Sequence, residues 1–117
     1  MRTSDQKLNS ILKSRITKTL AQTLTDFKDP QEMEIFLQDF LSTSEMETYT
    51  KRLAVAYWLK KGRSYTNIKQ NLKVSSATIA VVQEMLERPG VKLALKKMEA
   101  EEWANIWAGK IRKFVGK

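Results

Sequence analysis

The chain has 117 residues, and its 21 Lys and Arg against 13 Asp and Glu give a net charge of +8. That excess points to an anionic partner, nucleic acid or a membrane surface. There is no cysteine and no histidine, which excludes disulfides and thiolate chemistry and removes the commonest general base and metal ligand.

The first predicted element runs over Ser4–Phe27. Leu8, Ile11, Leu12, Ile16, Leu20, Leu24 and Phe27 keep an apolar stripe at helical spacing, with the basic residues mostly off it. A helix this long ahead of the first compact unit has little to pack on within its own chain. A partner subunit is expected, so residues 1–28 read as a dimerisation helix. An amphipathic membrane helix is the rival, but the stripe lacks Trp and the polar face is rich in Thr, Ser and Gln.

The second helix starts at Asp29-Pro30-Gln31-Glu32, with Asp29 as N-cap, Pro30 at N1 and Glu32 reaching back as in a capping box. Its buried face is Met33, Phe36, Leu37, Phe40 and Leu41. Ser42-Thr43-Ser44 breaks it. Ser44 is then expected to cap helix three, with Glu47 completing a second box. Helix three runs to about Lys61 with Gly62 as C-cap. Its apolar positions are Met46, Tyr49, Leu53, Ala56, Tyr57 and Leu59, widened by Val55 and Trp58.

Residues 64–86 form the central motif. Ile68 and Leu72 repeat at i, i+4, and Ile79, Val82 and Leu86 at i, i+3, i+7, two short apolar stripes. Lys73-Val74-Ser75 between them only leaves room for a turn. Ser75 or Ser76 can cap the second helix, and Val74 is placed to plug the angle between the two. This is a helix-turn-helix, whose second helix can enter the major groove of DNA. The outer face of that helix is small or neutral. Ser76, Ala77, Ala80 and Gln83 are the candidate base contacts. Gln83 is the long hydrogen-bonding side chain among them, of the type that pairs with adenine N6 and N7. Arg52, Lys60, Arg63, Lys69, Lys73 and Thr78 are the candidate phosphate contacts.

Arg88-Pro89-Gly90 closes the motif, and a last helix spans about Val91–Val115. Trp103 and Trp107 lie one turn apart on it and read as packing residues against this or another chain. Glu99, Glu101 and Glu102 diverge around the helix, so they do not converge on one ion and read as a solvated face. The whole is expected to be a single all-α domain of about six helices. A Gly-rich phosphate loop is absent and no acidic motif is placed for metal, so neither an enzyme nor a cofactor is expected. No apolar run reaches the roughly 18 residues a membrane span needs, and nothing resembles a signal peptide; a cytoplasmic protein is expected. The alternative to a DNA-binding regulator is a protein-interaction module with a structural helix-turn-helix and Trp103 and Trp107 on its partner surface. RNA binding ranks below both, since the aromatics form no stacking platform.

Residues 36–80 also resemble the tryptophan repressor superfamily. The matching positions are Phe36-Leu37, Asp39, Leu41, Glu45, Thr50, Arg52, Gly62, Ile68-Lys69, Leu72 and Ala77-Thr78-Ile79. The resemblance implies an intertwined all-α homodimer, a core over 29–88, a C-terminal helix over 89–117, and two helix-turn-helix units in successive major grooves about 34 Å apart. A palindromic operator and a role as a repressor are implied with it. The family's tryptophan site places one arginine on Arg52 and its small hydroxyl residue on Ser42. Its second arginine, however, falls on Val81, its glycine on Val82 and its serine on Met85. One guanidinium is lost and aliphatic side chains are expected to fill the space, so no useful L-tryptophan binding is expected.

Overall fold

The computed structural model describes residues 8–115, with side chains to residue 102. Those residues form six α-helices and no strand: α1 (Ser10–Asp26), α2 (Pro30–Phe40), α3 (Thr43–Lys60), α4 (Tyr65–Leu72), α5 (Ser76–Met85) and α6 (Pro89–Val115). They fall into two compact units that divide inside α3, residues 1–46 and 47–117. No helix among the described residues is long and apolar enough to cross a membrane.

In the first unit α1 begins at Ser10, later than the Ser4 expected from the stripe. Asn9 is the reason: its Oδ1 accepts the Ile11 and Leu12 N–H groups at 2.8 and 3.3 Å, two donors that a helix start otherwise leaves unpaired. The apolar stripe exists and is uncovered. Leu8, Ile11, Leu12, Ile16 and Leu20 are each 46–66% exposed, and α1 has no buried residue. Near the end of α1 a small aromatic run begins. The Phe27 and Phe36 rings lie 5.3 Å apart and Phe36 and Phe40 stack at 5.0 Å.

Two caps differ from expectation. At α2, Asp29 Oδ1 accepts from Gln31 N–H at 3.0 Å, not from Glu32, which instead places its charge in the positive first turn. At α3 the capping box is set two residues earlier than expected. Ser42 Oγ accepts from Glu45 N–H at 3.0 Å, and Ser42 N–H donates to Glu45 Oε1 at 2.9 Å. The Ser42 N–H bond to the Glu45 carboxylate, with the Ser42 hydroxyl second, lowers the Glu45 pKa from its ordinary value. Ser44 is therefore inside α3, and Glu47 is free to pair elsewhere.

The second unit carries the buried core. Val55, Ala56, Ile68, Ile79, Val82 and Leu95 are each at most 4% exposed, and Leu72, Val74, Leu86, Val91 and Met98 pack around them. Thus α3, α4, α5 and α6 each contribute to one apolar centre. Val55, expected only to widen the α3 stripe, is at its middle, whereas Tyr49 and Leu53 are 47% and 46% exposed and not buried. Gly62 ends the helix as expected. With φ +84° it occupies the left-handed region that favours glycine. Gly62 N–H bonds to Leu59 C=O and Arg63 N–H to Trp58 C=O, at 3.0 and 3.1 Å, the pair of bonds that defines a Schellman stop.

Candidate nucleic-acid interface

Three local features build the helix-turn-helix. Ser64 Oγ accepts from Asn67 N–H at 3.1 Å and starts α4. Lys73 ends α4 at φ 55°, ψ 51°, a left-handed conformation that a residue with a Cβ adopts at a cost of about 1–2 kcal/mol. Ser75, not Ser76, caps α5, accepting from Thr78 N–H at 3.1 Å. Val74 packs against the core, so the turn is plugged as its sequence suggested.

This arrangement separates the two faces of α5. Ile79 and Val82 are buried, while Ser76, Ala77, Thr78, Ala80 and Gln83 are all exposed. The four candidate base contacts therefore share one open surface. It is not free of carboxylate, however. Glu84 is exposed too and lies two turns on from Ala77, on nearly the same line of the helix. Glu84 follows Gln83 in the last turn of α5, so the readout face carries one negative charge at its C-terminal end.

The candidate phosphate contacts divide into three kinds. Lys69 and Lys73 are exposed. Arg52 is exposed as well, with its guanidinium 5.8 Å from the centre of the Tyr49 ring. Arg63 is pre-set: its guanidinium lies 4.1 Å over the Trp58 ring and Nη1 donates to Asn67 Oδ1 at 3.3 Å. Stacking of this kind orients a planar cation before any ligand arrives. Lys60 and Thr78 already have partners. Lys60 Nζ lies 3.6 Å from Glu99 and Lys61 Nζ 3.4 Å from Glu102. Two of the three α6 carboxylates thus face the end of α3 in solvent-exposed ion pairs, while Glu101 is exposed. The Thr78 hydroxyl sits 3.0 Å from that of Ser75.

Two further residues belong to the site and were missed in the sequence. Lys51 Nζ pairs with Glu47 at 2.9 Å and donates to the Lys73 carbonyl at 3.4 Å. It places a cation at the negative C-terminal end of α4 and ties α3 to the strained residue of the turn. The same pairing holds the Glu47 carboxyl below its usual range. Tyr65, the first residue of α4, donates its hydroxyl to Gln83 Oε1 at 3.4 Å. Both bonds span many residues of sequence, and no local pattern announces them.

Of the positions where the resemblance puts a tryptophan pocket, Val82 is 1% exposed and is core. Val81 does not fill space as expected: it is 52% exposed. Met85 is half-buried, and the Ser42 hydroxyl serves as the α3 cap. The side chains of Trp103 and Trp107 lie outside the described residues.

An all-α unit in which two short helices meet at a tight turn, the second with one buried and one exposed face, has the architecture of a helix-turn-helix, the class used by DNA-binding regulators. The comparisons with known proteins agree. The Trp repressor protein family matches residues 16–99, and the chain belongs to that family. A relative, described as uncharacterized protein YerC of Bacillus subtilis (strain 168), is 27% identical over 93 residues, 78% of this chain and 89% of its own length. No solved structure matches the chain.

Proposed function

We propose that the chain is a sequence-specific transcriptional regulator, acting as a repressor, that binds double-stranded DNA as a homodimer in the cytoplasm. The observation that carries this reading is the exposed α5 face, Ser76, Ala77, Ala80 and Gln83, with Arg63, Lys69 and Lys73 exposed beside it. Small neutral side chains let a helix approach base edges, and flanking cations hold the backbone. In this reading Lys60 exchanges Glu99 for a phosphate on binding, and Arg52 and Thr78 complete the backbone contacts.

The homodimer is supported by the bare stripe of α1 and by family membership. A second copy laid on that stripe by two-fold symmetry would cover the same residues on both chains. The proposal includes no corepressor role for L-tryptophan. Val81 cannot replace a guanidinium, and the buried Val82 side chain stands where the family has glycine. Isothermal titration should show no stoichiometric heat with L-tryptophan; tight binding would overturn this part.

Binding-site selection from a random duplex library at two salt concentrations tests the reading as a whole. The expected result is a short inverted repeat. On the selected site Lys69→Ala should lower the slope of log affinity against log salt by about one. Enrichment of nothing, with salt-sensitive retention, would reduce the protein to a nonspecific nucleic-acid binder. No retention at either salt would make it a protein-interaction module.

A further inference from the structure

Resting on the DNA-binding reading above, we propose that Tyr65 is a specificity-determining residue that turns Gln83 from an adenine reader into a guanine reader. Glutamine normally recognises adenine with both ends of its amide. Nε2 donates to adenine N7 while Oε1 accepts from adenine N6. Here the Tyr65 hydroxyl donates to Oε1 at 3.4 Å. That contact directs the carbonyl end of the planar amide towards the start of α4. The amide nitrogen shares its carbon with Oε1 and diverges from it, so it is turned away from that contact, on a residue that is exposed.

Two consequences follow from the chemistry of the amide. Its nitrogen carries two donors, and its oxygen two acceptor sites. The phenol occupies one acceptor site and stands beside the oxygen, where the adenine amino group would have to approach. The two N–H donors remain unobstructed. In the major groove guanine offers two adjacent acceptors, O6 and N7, and no donor on that edge. An amide presenting nitrogen outward is complementary to guanine and mismatched to the adenine amino group.

Tyr65 is itself 41% exposed and lies outside the buried core, so Tyr65→Phe removes the hydroxyl and leaves the packing in place. Gln83 is exposed on α5, so Gln83→Ala is equally mild for the fold. The hydrogen bond therefore serves to orient a side chain on the binding face and is not needed to hold α4 to α5, which the shared core of Ile68, Ile79 and Val82 already does.

Selection from a random duplex library, run in parallel with the unaltered protein, Tyr65→Phe and Gln83→Ala, tests this. Circular dichroism melts of all three confirm that each is folded. The unaltered protein should enrich guanine at one position of each half-site. Gln83→Ala should erase the preference at that position alone. Tyr65→Phe should move it towards adenine, changing the guanine-to-adenine ratio by at least about fivefold. The same base preference with and without the hydroxyl would overturn the proposal, as would guanine enrichment that survives Gln83→Ala. If the unaltered protein enriches no sequence, the DNA-binding reading falls and takes this proposal with it. An inverted repeat that ignores Tyr65 leaves that reading intact and removes only the proposal.

Discussion

The two compact units of this chain solve the problem of apolar surface differently. Among the described residues of the second unit, six side chains from four helices close around one centre, and the recognition face is built on the outside of that centre. In the first, no described side chain of α1 or α2 is fully buried, and Ile11, Ile16, Ile35 and Phe40 are at least half exposed. The exposed apolar run along α1, Leu8, Ile11, Leu12, Ile16 and Leu20, is the kind of surface that marks an interaction site. The difference teaches that a helical stripe in a sequence fixes which residues must be covered, not what covers them. Ile79 and Ile16 sit on equally regular stripes, and among the described residues only Ile79 is covered.

The sharpest way to break that contrast is on α1. Leu12→Asp combined with Leu20→Asp should weaken self-association at least about a hundredfold, since each buried leucine is worth about 1.5–3 kcal/mol. Sedimentation velocity reads the shift directly, and an unchanged dimer would separate α1 from assembly. In the second unit the effect should fall on folding instead. Ile79→Ala removes a side chain that is 0% exposed and should cost about 2–5 kcal/mol, measured by urea denaturation.

A smaller change of opposite sign is expected in the turn. Lys73→Gly relieves the left-handed strain and should stabilise by about 1 kcal/mol, seen as a raised Tm. The same variant removes a cation and should weaken DNA binding. No rise in Tm would argue for a different turn geometry. The smallest effect is electrostatic. Glu45 and Glu47 have carboxyls held below the usual value of 4.5. A depressed folded-state pKa gives stability that is present above the unfolded value and is lost as pH falls through the folded one. Thermal melts between pH 6 and 3 should therefore show a loss beginning near 4.5 that is shallower in Glu45→Gln than in the unaltered protein. Parallel curves would contradict the capping box.

Local patterns in the sequence were readable where one residue type answers one local need. Gly62 answers a positive φ, Pro30 a first helical turn, and Ile68 and Ile79 the inner side of two short helices. The reading failed where two local answers were equally good. Ser42-Thr43-Ser44-Glu45-Met46-Glu47 contains two capping boxes in sequence. The one at Ser42 forms, and Glu47 goes to Lys51, whose own partner across the turn is 22 residues away. It failed again where the partner is distant. Tyr65 and Gln83 are 18 residues apart, and Lys60 and Lys61 find Glu99 and Glu102 only because α3 and α6 share the core. The neutral outer face of α5 was legible because neutrality is a property of each residue. The contacts that Lys51 and Tyr65 make were not, because they are properties of the fold.

The most direct test of the central claim is the mass of the protein on its selected duplex, by sedimentation equilibrium of the full chain with and without DNA. The chain is 13.5 kDa, and the account predicts twice that mass in free solution and two chains on each inverted repeat. One chain per duplex, or a free protein that stays at the mass of one chain as concentration rises, would contradict it.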